Sequence, residues 1–258
     1  MTKALSIRIR KLDINLKRTT MRTLIRFLLT VFLFDSFNCA ILQHAQTRPD
    51  RFDWRDYGVI TPVSDQGMIG DPVDFVIAEG IESLYAIQTK TKAIPLSKQE
   101  VADCCDDPST HQPLYKGFDC IVALGGLCGD YSYKNGTGTC NNGSCTPVGK
   151  ITGTGYIPAG REDFMLKVIH LTPIAVLIDA GQSSFEMYTS GIYSDPSCSS
   201  TQLDHAVQIV GYGTEADVDY WTVKNSWGPS WGEQGYMRIV RGKNMCGIAS
   251  MAFYPLNK

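Results

Sequence analysis

The stretch from Asp71 to Ile87 constrains the fold most tightly. Val73, Val76, Ile77, Ile81, Leu84 and Ile87 recur at three- and four-residue steps, the period of a helix. The run leaves a loop, Thr61-Pro62-Val63-Ser64-Asp65, and its start is marked residue by residue. Asp71 suits an N-cap, and Pro72 suits the first helical position, where its missing N–H has no partner to lose. Asp74 lies three residues past the cap, where an acid favours the helix start. A good cap stabilises by about 1 kcal/mol, whereas proline deeper in a helix costs roughly 3 kcal/mol. The helix is therefore expected to begin at Pro72.

The remaining chain divides in character. Ser97 with Glu100 three residues later marks a second helix start. Gly117 to Ala123 reads as a short helix ended by Gly125 and Gly126. Beyond about Gly153, β-branched and aromatic runs take over: Ile174–Ile178, Ala206–Val210, Tyr220–Lys224 and Gly235–Val240, separated by glycine turns. A helical half followed by a strand half predicts an α+β fold.

The first 40 residues are of another kind. Eight basic residues face Asp13 and Asp35, a balance of +6, so the whole-chain charge of −2 leaves −8 for residues 41–258. A mildly acidic mature chain disfavours nucleic acid and anionic membrane surfaces as partners. Leu24 to Phe34 is apolar but for Arg26 and Thr30 and too short to span a bilayer. Met21–Ala40 reads as a secretory signal, with residues 1–20 an upstream extension if Met21 is the start. A mitochondrial transit peptide is the competing reading, and the compact apolar run favours secretion. Of nine cysteines, Cys39 belongs to this segment. The other eight, Cys104, Cys105, Cys120, Cys128, Cys140, Cys145, Cys198 and Cys246, suit four bridges in an oxidising compartment. No paired Cys-x-x-Cys blocks, His-Glu-x-x-His run or phosphate-binding glycine loop occurs, so no metal or cofactor is expected. Asn135 and Asn142 open glycosylation sequons in a glycine-rich stretch.

Two sets of motifs carry a family resemblance. The first runs from Phe52-Asp53-Trp54-Arg55 through Gly58-Val59-Ile60-Thr61-Pro62-Val63 to Gln66-Gly67-Met68-Ile69-Gly70-Asp71-Pro72-Val73-Asp74-Phe75. The second comprises Asp204-His205-Ala206-Val207, Lys224-Asn225-Ser226-Trp227-Gly228, Trp231-Gly232-Glu233-Gln234-Gly235-Tyr236 and Cys246-Gly247-Ile248. In this order the chain resembles the papain-like cysteine peptidases from about Phe52 to Pro255. The resemblance implies a two-lobed fold: a helical lobe over about 58–153, an antiparallel β-barrel-like lobe over about 154–258, and a groove between them. Residues 41–51 would be a short linker in place of the family's inhibitory propeptide.

Carried over by motif, His205 matches the general base, Asn225 the residue that orients its imidazole, Trp227 the indole that shields them and lines the substrate groove, and Gln66 the oxyanion donor. The nucleophilic cysteine is matched by Pro72. A pyrrolidine ring has no atom that can form an acyl intermediate, and a histidine can take a proton only from a group positioned to attack. The departures cluster. Ile69 replaces a family cysteine, residues 106–113 lack the family's glycine loop and its cysteine, and Val73 replaces a tryptophan. The resemblance pairs Cys198 with Cys246, and Cys104 or Cys105 with Cys140; the remaining four cysteines allow three pairings. The chain is thus expected to be a secreted or lysosomal, monomeric, non-catalytic homologue with a peptide or protein ligand in its groove. The alternatives are a peptidase working through a relocated nucleophile or activated water, and a decayed duplicate.

Overall fold

In the computed structural model, the described residues are 49–105, 114–129, 134, 137–141, 143 and 145–257. The signal segment, most of the linker, residues 106–113, Asn135 and Asn142 lie outside them.

Among the described residues, three α-helices precede every strand but the first, two-residue one. Helix α1 spans Pro72–Thr89 and starts where the cap chemistry places it, with Asp71 Oδ1 accepting the Val73 amide at 2.8 Å. It ends at Lys90, a left-handed non-glycine residue whose amide bonds the Ala86 carbonyl. Helix α2 covers Lys98–Cys105, and Ser97 Oγ accepts the Glu100 amide at 2.8 Å. Only half of a reciprocal capping box forms, because the Glu100 carboxylate turns to Cys128. Helix α3, Leu114–Leu124, is longer than its sequence signal and stops at Gly125 and Gly126, both at positive φ. Gly117 inside it is a packing requirement: a Cβ there would lie 2.0 Å from Ile77 Cδ1 of α1. Ile77, Ile81, Val101, Leu114, Phe118 and Ile121 bury together in one apolar cluster.

The strands are β1 (Phe52–Asp53), β2 (Gly153–Ile157), β3 (Ile174–Ile178), β4 (Ile192–Tyr193), β5 (His205–Glu215), β6 (Val218–Lys224), β7 (Tyr236–Val240) and β8 (Ala252–Leu256). They form one sheet in the order β2-β8-β3-β5-β6-β7-β4, with β1 paired to β5. Two short helices, α4 (Glu162–Val168) and α5 (Ser183–Glu186), interrupt the strands. Every pairing is antiparallel except that of β4 with β7, so the sheet is mixed where an antiparallel one was expected. The long connection through β5 and β6 lets β4 and β7 run the same way, as parallel pairing requires. The β5–β6 turn also departs from expectation. Ala216 and Asp217, not glycine, occupy its two central positions with φ of 48° and 63°, a type I′ geometry.

The sheet's core contains Trp221, Tyr212, Phe185, Val176, Val207 and Ile209. Two buried indoles are anchored there: Trp54 Nε1 donates to the Ile169 carbonyl at 2.7 Å, and Trp221 Nε1 to Glu162 Oε2 at 2.8 Å. Among the described residues four disulfides form, Cys104–Cys140, Cys105–Cys120, Cys128–Cys145 and Cys198–Cys246. The structure thus selects Cys104 as the partner of Cys140 and one of the three open pairings for the rest.

Candidate active site

The site gathers at the head of β5 and just past the end of β6. His205 is the first residue of β5, and antiparallel pairing of Gln208 with Lys224 brings Asn225 alongside it. His205 Nε2 lies 2.8 Å from Asn225 Oδ1. The same Oδ1 accepts the Ser226 amide at 2.8 Å, which identifies it as the oxygen of the side-chain amide. Nε2 therefore carries the proton, and Nδ1 presents the lone pair. The backbone N–H of Asn225 donates to the Gly235 carbonyl at 3.0 Å, tying the segment to the turn before β7.

Trp227 covers the pair, its ring centroid 4.8 Å from that of His205. Phe185 and Trp231 meet Trp227 edge-on at 5.6 and 5.3 Å, favourable aromatic geometry that fixes the indole. Trp231 Nε1 is itself anchored on the Glu186 carbonyl at 3.0 Å. Motif reading missed Phe185, which sits in α5 with no distinguishing local pattern.

Gln66 joins the same wall through Ser226. Its amide donates to the Ser226 carbonyl at 2.8 Å, and Ser226 Oγ donates to Gln66 Oε1 at 2.6 Å. Gln66 Nε2 donates to the Gly70 carbonyl at 2.9 Å, so one of its amide hydrogens points back into its own loop. That loop leads into Asp71 and Pro72 at the start of α1, and Met68 and Ile69 within it are exposed.

His205 is 6 % exposed. Burial pushes its pKa below the ordinary 6.5, while Asn225 and the carboxylates of Asp204 and Asp71 oppose the shift. At neutral pH the ring is uncharged. The arrangement can thus hold an imidazole lone pair in a fixed, shielded orientation. Among the described residues, the gathered metal-ligating types are Glu100, Cys128 and Cys145, and the last two share a bridge.

A family model described as papain family cysteine protease matches residues 48–256. The chain belongs to the papain family. Vignain from Ricinus communis is 40% identical over 229 residues, which cover 84% of this chain and 62% of vignain. This papain-family chain therefore spans a little under two thirds of that relative's length. Among solved structures, bromelain from Ananas comosus aligns with a TM-score of 0.76 at 36% identity, covering 81% of this chain and all of bromelain. Procathepsin L2 from Tenebrio molitor larval midgut aligns at 0.77 with 33% identity, covering 82% of this chain and 69% of that one. These matches extend the α+β reading to the papain-like fold.

Proposed function

We propose that this chain is a secreted, non-catalytic papain-family protein that binds a peptide or protein in the groove beside His205. The carrying observation is Pro72, which occupies the first position of α1 with Asp71 as its cap. In the family pattern that position belongs to the sulfur. All eight cysteines among the described residues are bridged, so none supplies a substitute thiol. Ser64, the nearest hydroxyl in sequence, makes no hydrogen bond to His205. Ser226 directs its hydroxyl to Gln66. Removing the nucleophile from such a triad costs on the order of a millionfold in turnover.

Binding is the property this reading retains. The wall of His205, Asn225 and Trp227 is held by the contacts described above, while Met68 and Ile69 offer apolar side chains on the neighbouring loop. In the same reading the helical lobe covers about 58–153 and the β lobe about 154–258. The likeness to digestive cysteine proteinase 2 of Homarus americanus supports the secretory route.

The test is labelling with a thiol-directed active-site probe such as E64, the inhibitor in the bromelain structure. The purified chain is expected to take up no probe, and Pro72→Cys to take it up at that residue. A wild-type adduct would overturn the proposal.

A further inference from the structure

Glu100 of α2 is 3 % exposed and serves no part of the site above. Its Oε2 accepts the Cys128 amide at 2.8 Å, and its Oε1 lies 3.3 Å from Cys128 Sγ. That sulfur is bridged to Cys145 and has no hydrogen to give. The contact therefore lacks a proton while the bridge is closed and the carboxylate ionised. It becomes a hydrogen bond if Glu100 takes a proton, or if the bridge opens and Cys128 acquires one.

Burial pushes the Glu100 carboxyl above its ordinary range, with only the Cys128 amide opposing. Among the described residues no charged side chain acts on it. On its own helix, Lys98 is paired with Glu82, and Asp103 is bonded by Gln99 and the Gly138 amide. The bridge is also unevenly exposed: Cys128 is buried and Cys145 half-buried. A nucleophile from solvent meets Cys145 first and expels the other sulfur toward Glu100.

We propose that Cys128–Cys145 is an exchangeable disulfide that takes up a small thiol, of the glutathione class, at Cys145, with Glu100 supplying a proton to Cys128. The external thiolate attacks Cys145 Sγ and forms a new S–S bond. The Cys128–Cys145 bond breaks, and its electron pair stays on Cys128 Sγ. The proton on Glu100 Oε1 moves to that sulfur. The products are a mixed disulfide at Cys145, a thiol at Cys128 and a carboxylate that hydrogen-bonds it. The added thiol is the sole co-reactant, and solvent restores the Glu100 proton.

Among the described residues, no other bridge has a carboxylate gathered with its two sulfurs. Cys198 Sγ meets the Tyr193 hydroxyl at 3.8 Å and the Asp179 carbonyl at 3.9 Å, and Cys120 Sγ meets the Cys104 carbonyl at 3.6 Å. Exposure alone would direct a thiol elsewhere, to Cys140, which is exposed.

The test exposes the folded, oxidised full chain to glutathione from pH 5 to 8, blocks free thiols, and maps adducts by peptide mass spectrometry. Adduct is expected first on Cys145, with Cys104–Cys140 still closed. The rate constant per thiolate should be about tenfold or more higher at pH 5 than at pH 8. In Glu100→Gln that pH dependence should vanish. First reaction at Cys140 or Cys104 overturns the proposal, as does a wild-type constant independent of pH. If Glu100→Gln does not fold, the wild-type map and pH profile decide alone.

Discussion

Lys224, the last residue of β6 and the neighbour of Asn225, is 1 % exposed, with Nζ 2.8 Å from Glu79 Oε1 and 3.1 Å from Thr61 Oγ1. Thr61 donates in turn to Glu82, which also receives Lys98 and the Leu96 amide. This buried chain fixes α1 against the strand end that carries Asn225. Lys224→Met keeps the apolar stem and removes the charge, leaving Glu79 to stay ionised in the core or to take a proton. Burial already pushes Glu79 above its ordinary 4.5, and Lys224 is among the groups that oppose the shift. Protonating such a group at pH 7 costs about 3.4 kcal/mol, and breaking a buried pair costs roughly 3–5 kcal/mol. The variant should therefore lose about 3–4 kcal/mol at pH 7, a fall in Tm on the order of 10 °C. The raised Glu79 pKa sets the sign: its neutral form favours folding below 4.5, and that advantage is lost as pH rises through the folded pKa. Without Lys224 the folded pKa is higher still, so the variant's deficit should shrink by up to about 1.4 kcal/mol per pH unit on acidification. Urea unfolding followed by tryptophan fluorescence from pH 5 to 8 measures it. Adding Glu79→Gln should recover most of the loss. A deficit independent of pH, or a double variant no better than the single one, would refute the reasoning.

Three further outcomes follow from the structure. Asp71→Ala removes the cap of α1 and should cost about 1 kcal/mol; because Asp71 also opposes the burial effect, NMR titration should find the His205 pKa lower in the variant than in wild type. The depressed His205 pKa contributes stability that is complete above the ordinary 6.5 and lost as pH falls below it. The stability difference between wild type and His205→Gln should accordingly drift against wild type from pH 6.5 to 5 in urea unfolding, and a constant difference would contradict the neutral-imidazole assignment. Replacing Cys198 and Cys246 by alanine opens a bridge of sequence separation 48 and should cost about 4 kcal/mol in the same assay.

Local chemistry made the front of α1 legible, because Asp71, Pro72 and Asp74 each satisfy a requirement of the first turn without help from the rest of the chain. Strand β3 was equally plain, as five consecutive apolar residues, four of them buried and Leu177 partly so, leave no competing period. β2 and β8 escaped notice for opposite reasons. Gly153 and Gly155 weaken the strand signal of β2, and Pro255 reads as a breaker in β8. Only tertiary packing reveals why glycine is needed at 155, where a Cβ would lie 2.2 Å from the Tyr254 ring. The site divides in the same way. His205, Asn225, Trp227 and Gln66 were marked by motifs. Ser226 holding Gln66, Phe185 bracing Trp227, and Glu162 receiving Trp221 depend on contacts between residues far apart in sequence.

Peptide hydrolysis by the purified chain, measured beside its His205→Ala variant, tests the central claim most directly. No cleavage above the buffer blank is expected from either protein. Turnover by wild type that disappears in His205→Ala would contradict it, because a working base needs a nucleophile to serve.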